Sequence, residues 1–181
     1  MSQSQPIQIE RWQPGADAVD SDLDMLGGVL QACVHAGASV SFVLPFSRSE
    51  ATEFWRTQVL TAVQAGTRRV VVARLAANIV GTVQLDLATP PNQPHRAEVK
   101  KLLVHPGMRR RGIARSLMTA LEVQAREARR TLLTLDTVTG GFAESLYRSM
   151  GYEVTGIIPR YALNFDSTKL ESTTIMYKDL S

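Results

Sequence analysis

The sequence predicts one α/β domain built on a mixed, largely antiparallel sheet, and three observations predict it. Residues 68–104 hold three strand candidates in succession, joined only by a tight turn and a proline-marked loop. Such short connections suit an antiparallel meander. A long amphipathic stretch then separates the third strand from a fourth, which implies a crossover with locally parallel strands. The remaining order does not alternate strand and helix as a doubly wound sheet requires. The chain has 181 residues, enough for one hydrophobic core. No repeat or linker divides it, so a single domain over 1–181 is expected.

Residues 7–12 alternate as a first strand does, and Pro14-Gly15 breaks it. Leu23, Leu26, Val29, Leu30 and Val34 define one apolar face of a helix over about 19–36. Asp17, Asp20, Asp22 and Asp24 flank its start, where acidic groups complement the positive helix end. They lack the glycine and closing Glu that a calcium loop needs. A second helix is expected over about 49–65, capped near Ser49 with Thr52 and Glu53. It turns Phe54, Trp55, Val59 and Val63 inward and ends at Gly66.

The three meander strands are Arg68–Leu75, Asn78–Leu87 and Glu98–Val104. Ala76-Ala77-Asn78 joins the first two, and Pro90, Pro91 and Pro94 mark the loop before the third. A long helix begins near Arg111 to Ile113 and runs to about Arg130. Ala114, Leu117, Met118, Leu121, Ala125 and Ala128 recur on one of its faces. Leu132–Thr137 reads as a strand, Phe142–Met150 as a helix, Tyr152–Pro159 and Thr173–Lys178 as the last two strands. Arg160–Ser172 between them is polar, a loop or hairpin arm.

Composition narrows the function. Cys33 is the only cysteine, which excludes a disulfide framework and a cysteine-rich zinc site. It lies on an apolar helix face and reads as structural. His35, His95 and His105 lack ligand-like spacing, so no metal site is expected. No stretch is apolar and long enough to span a membrane. Met1–Glu10 does not resemble a secretory signal, and a cytoplasmic protein is expected. The formal charge is +3, and sixteen of the twenty basic residues are Arg. Residues 92–181 hold fourteen of those twenty, which points to an anionic ligand in that half. A nucleic-acid surface needs aromatic groups interleaved with Arg over a broad patch. Here the Arg cluster sits in one loop.

That loop is the sharpest signal: Val104-His105-Pro106-Gly107-Met108-Arg109-Arg110-Arg111-Gly112-Ile113-Ala114. A strand enters a turn and the turn opens a helix, whose unsatisfied N–H groups form an anion site. Gly112 and Ala114 leave room for a phosphate to approach. Arg109, Arg110 and Arg111 add charged donors. The Gly-Lys-Ser/Thr ending of a nucleotide-hydrolysing loop is absent, as is a three-glycine dinucleotide fingerprint.

Arg109-Arg110-Arg111-Gly112-Ile113-Ala114 resembles the coenzyme A signature of the GNAT family of N-acetyltransferases, Arg/Gln-x-x-Gly-x-Gly/Ala. The preceding strand, the following amphipathic helix, Leu132–Thr137 and Tyr147 extend the resemblance over roughly residues 7–180. It implies the single-domain acyl-CoA N-acyltransferase (GNAT) fold and acetyl-CoA as co-substrate. It also implies direct transfer to an amine, with no covalent enzyme intermediate. By the same resemblance, the backbone of Met108 to Ala114 surrounds the cofactor pyrophosphate, with Ser116 near the phosphates. The Lys101-Leu102-Leu103-Val104 segment supplies backbone groups to the pantetheine arm. The N–H of Leu102 or Leu103 polarises the thioester carbonyl.

The resemblance places three side chains near the chemistry. Glu98 accepts the amine's proton or orients a cationic substrate. Asp136 anchors the amine, shares that duty, or simply caps the 137–141 turn. Tyr147 protonates the departing thiolate or is a core aromatic. Within the family, five stretches resemble an acetyltransferase of a toxic β-lactam amino acid: 35–40, 96–102, 133–137, 143–147 and 158–161. Arg160 stands where that enzyme has glycine and is expected to line a different acceptor site, so a shared substrate does not follow. The expected acceptor is therefore a small-molecule amine, with a protein or peptide amine as the alternative. A coenzyme A-binding module without catalysis is a further alternative. The resemblance also admits a homodimer, and neither nucleic acid nor membrane is an expected partner.

Overall fold

The computed structural model describes residues 6–13, 15 and 17–181; Pro14, expected to break the first strand, lies outside them. β1 (Ile7–Arg11) and α1 (Val19–His35) lead into α2 (Arg48–Phe54). That helix continues through a π-helical stretch, Trp55–Leu60, into α3 (Thr61–Gln64). The meander strands are β2 (Arg68–Leu75), β3 (Asn78–Asp86) and β4 (Arg96–Val104). Then come α4 (Ile113–Glu127), β5 (Leu132–Val138), α5 (Phe142–Ser149), β6 (Glu153–Leu163) and β7 (Leu170–Asp179).

The strands form one seven-stranded sheet in the order β1-β2-β3-β4-β5-β7-β6. Every neighbouring pair is antiparallel except β4 and β5. The mixed, largely antiparallel sheet expected from the sequence is therefore present, with its single parallel pair across α4.

Alternation along the strands builds a core on each face. Val71, Ala73, Val83, Leu85, Ala97, Val99, Leu133 and Leu135 join the apolar stripe of α4 and Tyr147 of α5. Val70, Val72, Ile79 and Leu103 face the other way, onto α1 and the α2–α3 rod. Trp12 and Trp55 meet edge-on there, with ring centroids 6.4 Å apart. Gly27 lets α1 and α2 approach closely, since a Cβ there would lie 2.3 Å from Thr52 Oγ1.

Two details differ from expectation, and a third decides between two readings. The cap of α2 is Ser47, not Ser49: its Oγ accepts the Glu50 N–H while Glu50 accepts the Ser47 N–H. The hydroxyl must precede the first helical residue with Glu three positions on, and only Ser47 meets both conditions. Of the loop and the hairpin arm expected for 160–172, the structure has the hairpin arm: β6 and β7 extend into it. The aspartates of α1 act as clamps more than dipole partners. Asp20 pairs with Arg56 at 2.8 Å and Asp24 with Arg48 at 2.9 Å, all largely exposed. Asp22, only 4% exposed, accepts the Trp12 Nε1–H at 2.8 Å and the Arg74 guanidinium at 2.8 Å.

Asp22→Ala would strand a buried indole N–H and part of a guanidinium. It should lower the unfolding free energy by about 3 kcal/mol. Asp20→Ala, at an exposed pair, should cost less than about 1 kcal/mol. Urea denaturation of both variants checks the difference.

Candidate active site

β4 and β5 start side by side and then part. Their parallel register covers Arg96–Leu132, Ala97–Leu133 and Glu98–Thr134, and goes no further. Beyond Glu98 one edge of β4 has no partner strand. An irregularity in β4 accompanies the parting: Thr82 faces Leu103 and Gln84 faces Lys100, so Val83 alone faces Lys101 and Leu102. The extra residue is Lys101, whose φ is 51°. Such a bulge adds twist and shifts which face each later side chain occupies. Ala97 and Val99 point to the α4 core before it, and Leu102 and Val104 pack there after it.

The bulge also decides which amides are free. His105 N–H donates to Val80 O, and Thr82 faces Leu103. Alternation in an antiparallel ladder then directs the Leu103 N–H to β3 and those of Leu102 and Val104 to the gap. The resemblance left Leu102 and Leu103 as alternatives. The geometry favours Leu102, because the Leu103 amide serves the sheet and its side chain is buried.

The face of the sheet toward α1 and α2 is polar beside the gap. Glu98 stands across from Thr134, and Asp136 lies two residues further along the same face of β5. Glu98 pairs with Lys100 at 3.2 Å, and its carboxylate side chain is 37% exposed. Lys100 also bonds Asp86 at 2.9 Å, and Arg68 bonds Asp86 at 2.8 Å. Burial works against the Asp86 charge, but the two cations hold its pKa below the ordinary carboxylate value. Asp136 is exposed and accepts the Thr173 hydroxyl at 3.0 Å. It is thus a strand residue open to solvent, and no hydrogen bond from the 137–141 turn reaches it among the described residues.

Lys101 turns onto this same face. Its Nζ donates to Val40 O at 2.7 Å and Ser41 Oγ at 3.0 Å. The Phe42 and Phe54 rings lie 5.5 and 5.9 Å away. Burial, with repulsion from Lys100, lowers its pKa to about 8.

Tyr147 approaches from the other face. Its ring is 6% exposed and packs on Tyr152, with centroids 5.6 Å apart. No hydrogen bond to its hydroxyl occurs among the described residues. Burial raises the hydroxyl pKa and the Asp136 charge adds to the effect, so the group stays protonated at neutral pH.

The loop after β4 reaches the start of α4. His105 accepts the Gly107 N–H at 3.3 Å and so shapes the 106–108 turn. Arg110 and Gly112 take φ of 63° and 76°. Gly112 precedes α4 with no side-chain cap, and the first turn has no acidic residue. The leading N–H groups of α4 are therefore unsatisfied and the positive helix end is unneutralised. A Cβ on Gly112 would meet nothing within 4 Å, so the space before these donors is open. Arg109, Arg110 and Arg111 are exposed around it, with Arg109 Nε 3.4 Å from Val104 O. Met108 packs toward the α4 core, the Ile113 side chain is buried beneath the helix, and Ala114 is half-buried. Ser116 is exposed, and its N–H already bonds Gly112 O. Free amides along β4, an open cradle at α4 and a gap between them fit an extended anionic thioester such as acetyl-CoA.

Sequence reasoning gave no site role to Lys100, Phe42 or Thr173, read Phe54 only as packing, and used Lys101 only for its backbone. The bulge had a signal: the buried positions switch from Ala97 and Val99 to Leu102 and Val104, a break of parity that a regular strand forbids. The 89–95 loop lies at the end of β4 away from the 105–112 loop. Arg130 ties it down through Pro94 O, Thr89 Oγ1 and Leu87 O. Cys33 is buried, with Sγ 3.3 Å from Val104 O.

Comparison with known proteins agrees with this geometry. Residues 66–154 match the model of the acetyltransferase (GNAT) domain. An N-acetyltransferase from Staphylococcus aureus Mu50 superposes with a TM-score of 0.79 at 17% identity, covering 98% of this chain and 100% of its own. A ribosomal-protein-alanine N-acetyltransferase from Brucella melitensis gives 0.76 at 22% identity, covering 96% and 99%. The yncA protein of Salmonella typhimurium, assigned as an acetyltransferase and solved with its cofactor acetyl-CoA, gives 0.77 at 16% identity, covering 97% and 94%. The domain match covers the strands and loop that form the gap, and the chain has the fold of these acetyltransferases.

Proposed function

We propose that the protein transfers the acetyl group of acetyl-CoA to the amine of a small, amino-acid-like molecule. The observation that carries this reading is the pair of carboxylates, Glu98 and Asp136, on one face of the gap with the protonated Tyr147 hydroxyl on the other. The five stretches that resemble the tabtoxin resistance protein, which acetylates a toxic β-lactam amino acid, support the choice of acceptor.

Bound acetyl-CoA supplies an acetyl group activated as a thioester. The backbone of Met108–Ala114 holds its pyrophosphate, with Arg109, Arg110 and Arg111 adding charge and Ser116 standing on the next turn. The Val104 N–H binds along the pantetheine arm, and the Leu102 N–H donates to the oxygen on which charge develops. Glu98 accepts the proton of the amine and Asp136 orients it. Tyr147 gives its proton to the departing sulfur and, as a phenolate that burial disfavours, takes a proton back from solvent once coenzyme A leaves.

The second acceptor class is a protein or peptide amine. A thiol-release assay across amino acids, polyamines, amine-bearing antibiotics and peptides separates the two. Turnover confined to peptides would defeat the small-molecule reading. We also propose a homodimer through the outer hairpin, which exposes Ile157, Ile158, Tyr161, Leu163 and Leu170. Sedimentation equilibrium should give twice the chain mass; a monomer at micromolar concentration would count against it.

Two variants test the machinery. Gly112→Ala strains a positive-φ position by about 1 kcal/mol and places a methyl in the open cradle. It should fold and bind acetyl-CoA at least about tenfold more weakly by calorimetry. Tyr147→Phe should lower the single-turnover rate about a hundredfold while leaving acetyl-CoA affinity nearly unchanged. A wild-type rate would remove Tyr147 from the mechanism.

A further inference from the structure

The protein has four lysines, and three of them are matched by carboxylates. Lys100 bonds Asp86 and Glu98, Lys169 bonds Glu171 at 3.1 Å, and Lys178 bonds Glu122 at 2.8 Å. Lys101 alone has no carboxylate within salt-bridge distance among the described residues. Its Nζ meets only neutral groups, Val40 O, Ser41 Oγ and the faces of Phe42 and Phe54. A partly buried cation without a counter-charge is costly. Ring faces recover only part of that cost.

The backbone on both sides of this contact is also strained. Lys101 has φ 51° and Ser41 has φ 73°, and neither is glycine. Strain of this kind persists where the surrounding structure requires one geometry. Here it sets a lone ammonium on the face that carries Glu98 and Asp136, one residue from the free Leu102 amide. The face therefore offers two carboxylates suited to an ammonium and one unmatched cation suited to an anion.

We propose that Lys101 binds the carboxylate of a zwitterionic acceptor and thereby holds its amine toward Glu98 and Asp136. This rests on the small-molecule acetyl-transfer reading and narrows it to acceptors bearing both an amine and a carboxylate. The bound carboxylate supplies the missing counter-charge, displacing or sharing the contacts to Val40 and Ser41.

The electrostatics give the sign of the pH dependence. Lys100 and Arg68 repel a proton on Lys101, and Asp136 and Glu98 attract it. Burial outweighs the attraction, so the free protein loses this charge as pH rises through about 8. A bound carboxylate favours the charged form and moves the midpoint up. Carboxylate affinity should accordingly weaken as pH rises above about 8.

With four lysines, carbon-13 labelling at lysine Cε yields a spectrum that can be titrated residue by residue. Lys101 is the resonance with the depressed midpoint, and its loss in Lys101→Met confirms the assignment. Propionate should raise that midpoint by about one unit and leave the other three lysines in place, whereas propionamide should not. A midpoint unmoved by saturating propionate overturns the proposal. In acetyl transfer, Lys101→Met should cut the preference for amino acids over their decarboxylated amines about tenfold, and Lys101→Arg should keep part of it. A preference unchanged in Lys101→Met also overturns it. Failure of the wild type to acetylate any small amine would instead defeat the functional reading, and the propionate titration would still decide the carboxylate site.

Discussion

The parting of β4 from β5 is the constraint on which the rest of the molecule depends. Two parallel strands joined by a helix normally pair along their length. Here pairing stops after Glu98 and Thr134, and the bulge at Lys101 adds twist where β4 leaves its neighbour. Backbone donors that a closed sheet would consume are left facing a gap. The gap is tolerable because α4 and α5 cover one face and α1 with the α2–α3 rod covers the other. Tyr147 reaches it from the first side, Glu98 and Asp136 from the second.

The bulge has a second consequence. Without the bulge, regular alternation through Lys101 would put Leu102 and Val104 in the other core. One inserted position restores the apolar faces and leaves Lys101 over as a polar residue on the α1–α2 side. The charges there are unequal in kind. Asp86 pairs with Arg68 and Lys100, and Lys100 pairs with Glu98 as well, so each of these charges has a partner. Asp136 remains exposed with a single hydroxyl partner, and Lys101 has neutral partners only. The proposed acceptor would supply the counter-charge that Lys101 lacks.

Much of this was legible in the sequence. Hydrophobic periodicity placed α1, α4 and the meander strands to within a few residues, because those segments bury a continuous apolar stripe. The 104–114 loop was legible because glycine, arginine and a following helix have one joint physical use. Less visible was anything requiring two distant segments. The contact of Lys101 with Val40 and Ser41 spans about sixty residues, and no local pattern announces it. Asp22 looked like a helix-end charge because its partners, Trp12 and Arg74, come from β1's edge and β2. The choice between Leu102 and Leu103 needed the register of β3, which a single strand cannot disclose.

Amide hydrogen exchange reads the free edge of β4 without reference to any acceptor. In the protein alone, the Leu102 and Val104 amides should exchange quickly while Leu103, bonded to β3, exchanges slowly. Saturating acetyl-CoA should slow Leu102 and Val104 markedly and leave Leu103 as it was. Leu102 exchange that is unchanged in the complex would contradict the account, because the gap would then not be where the thioester is held.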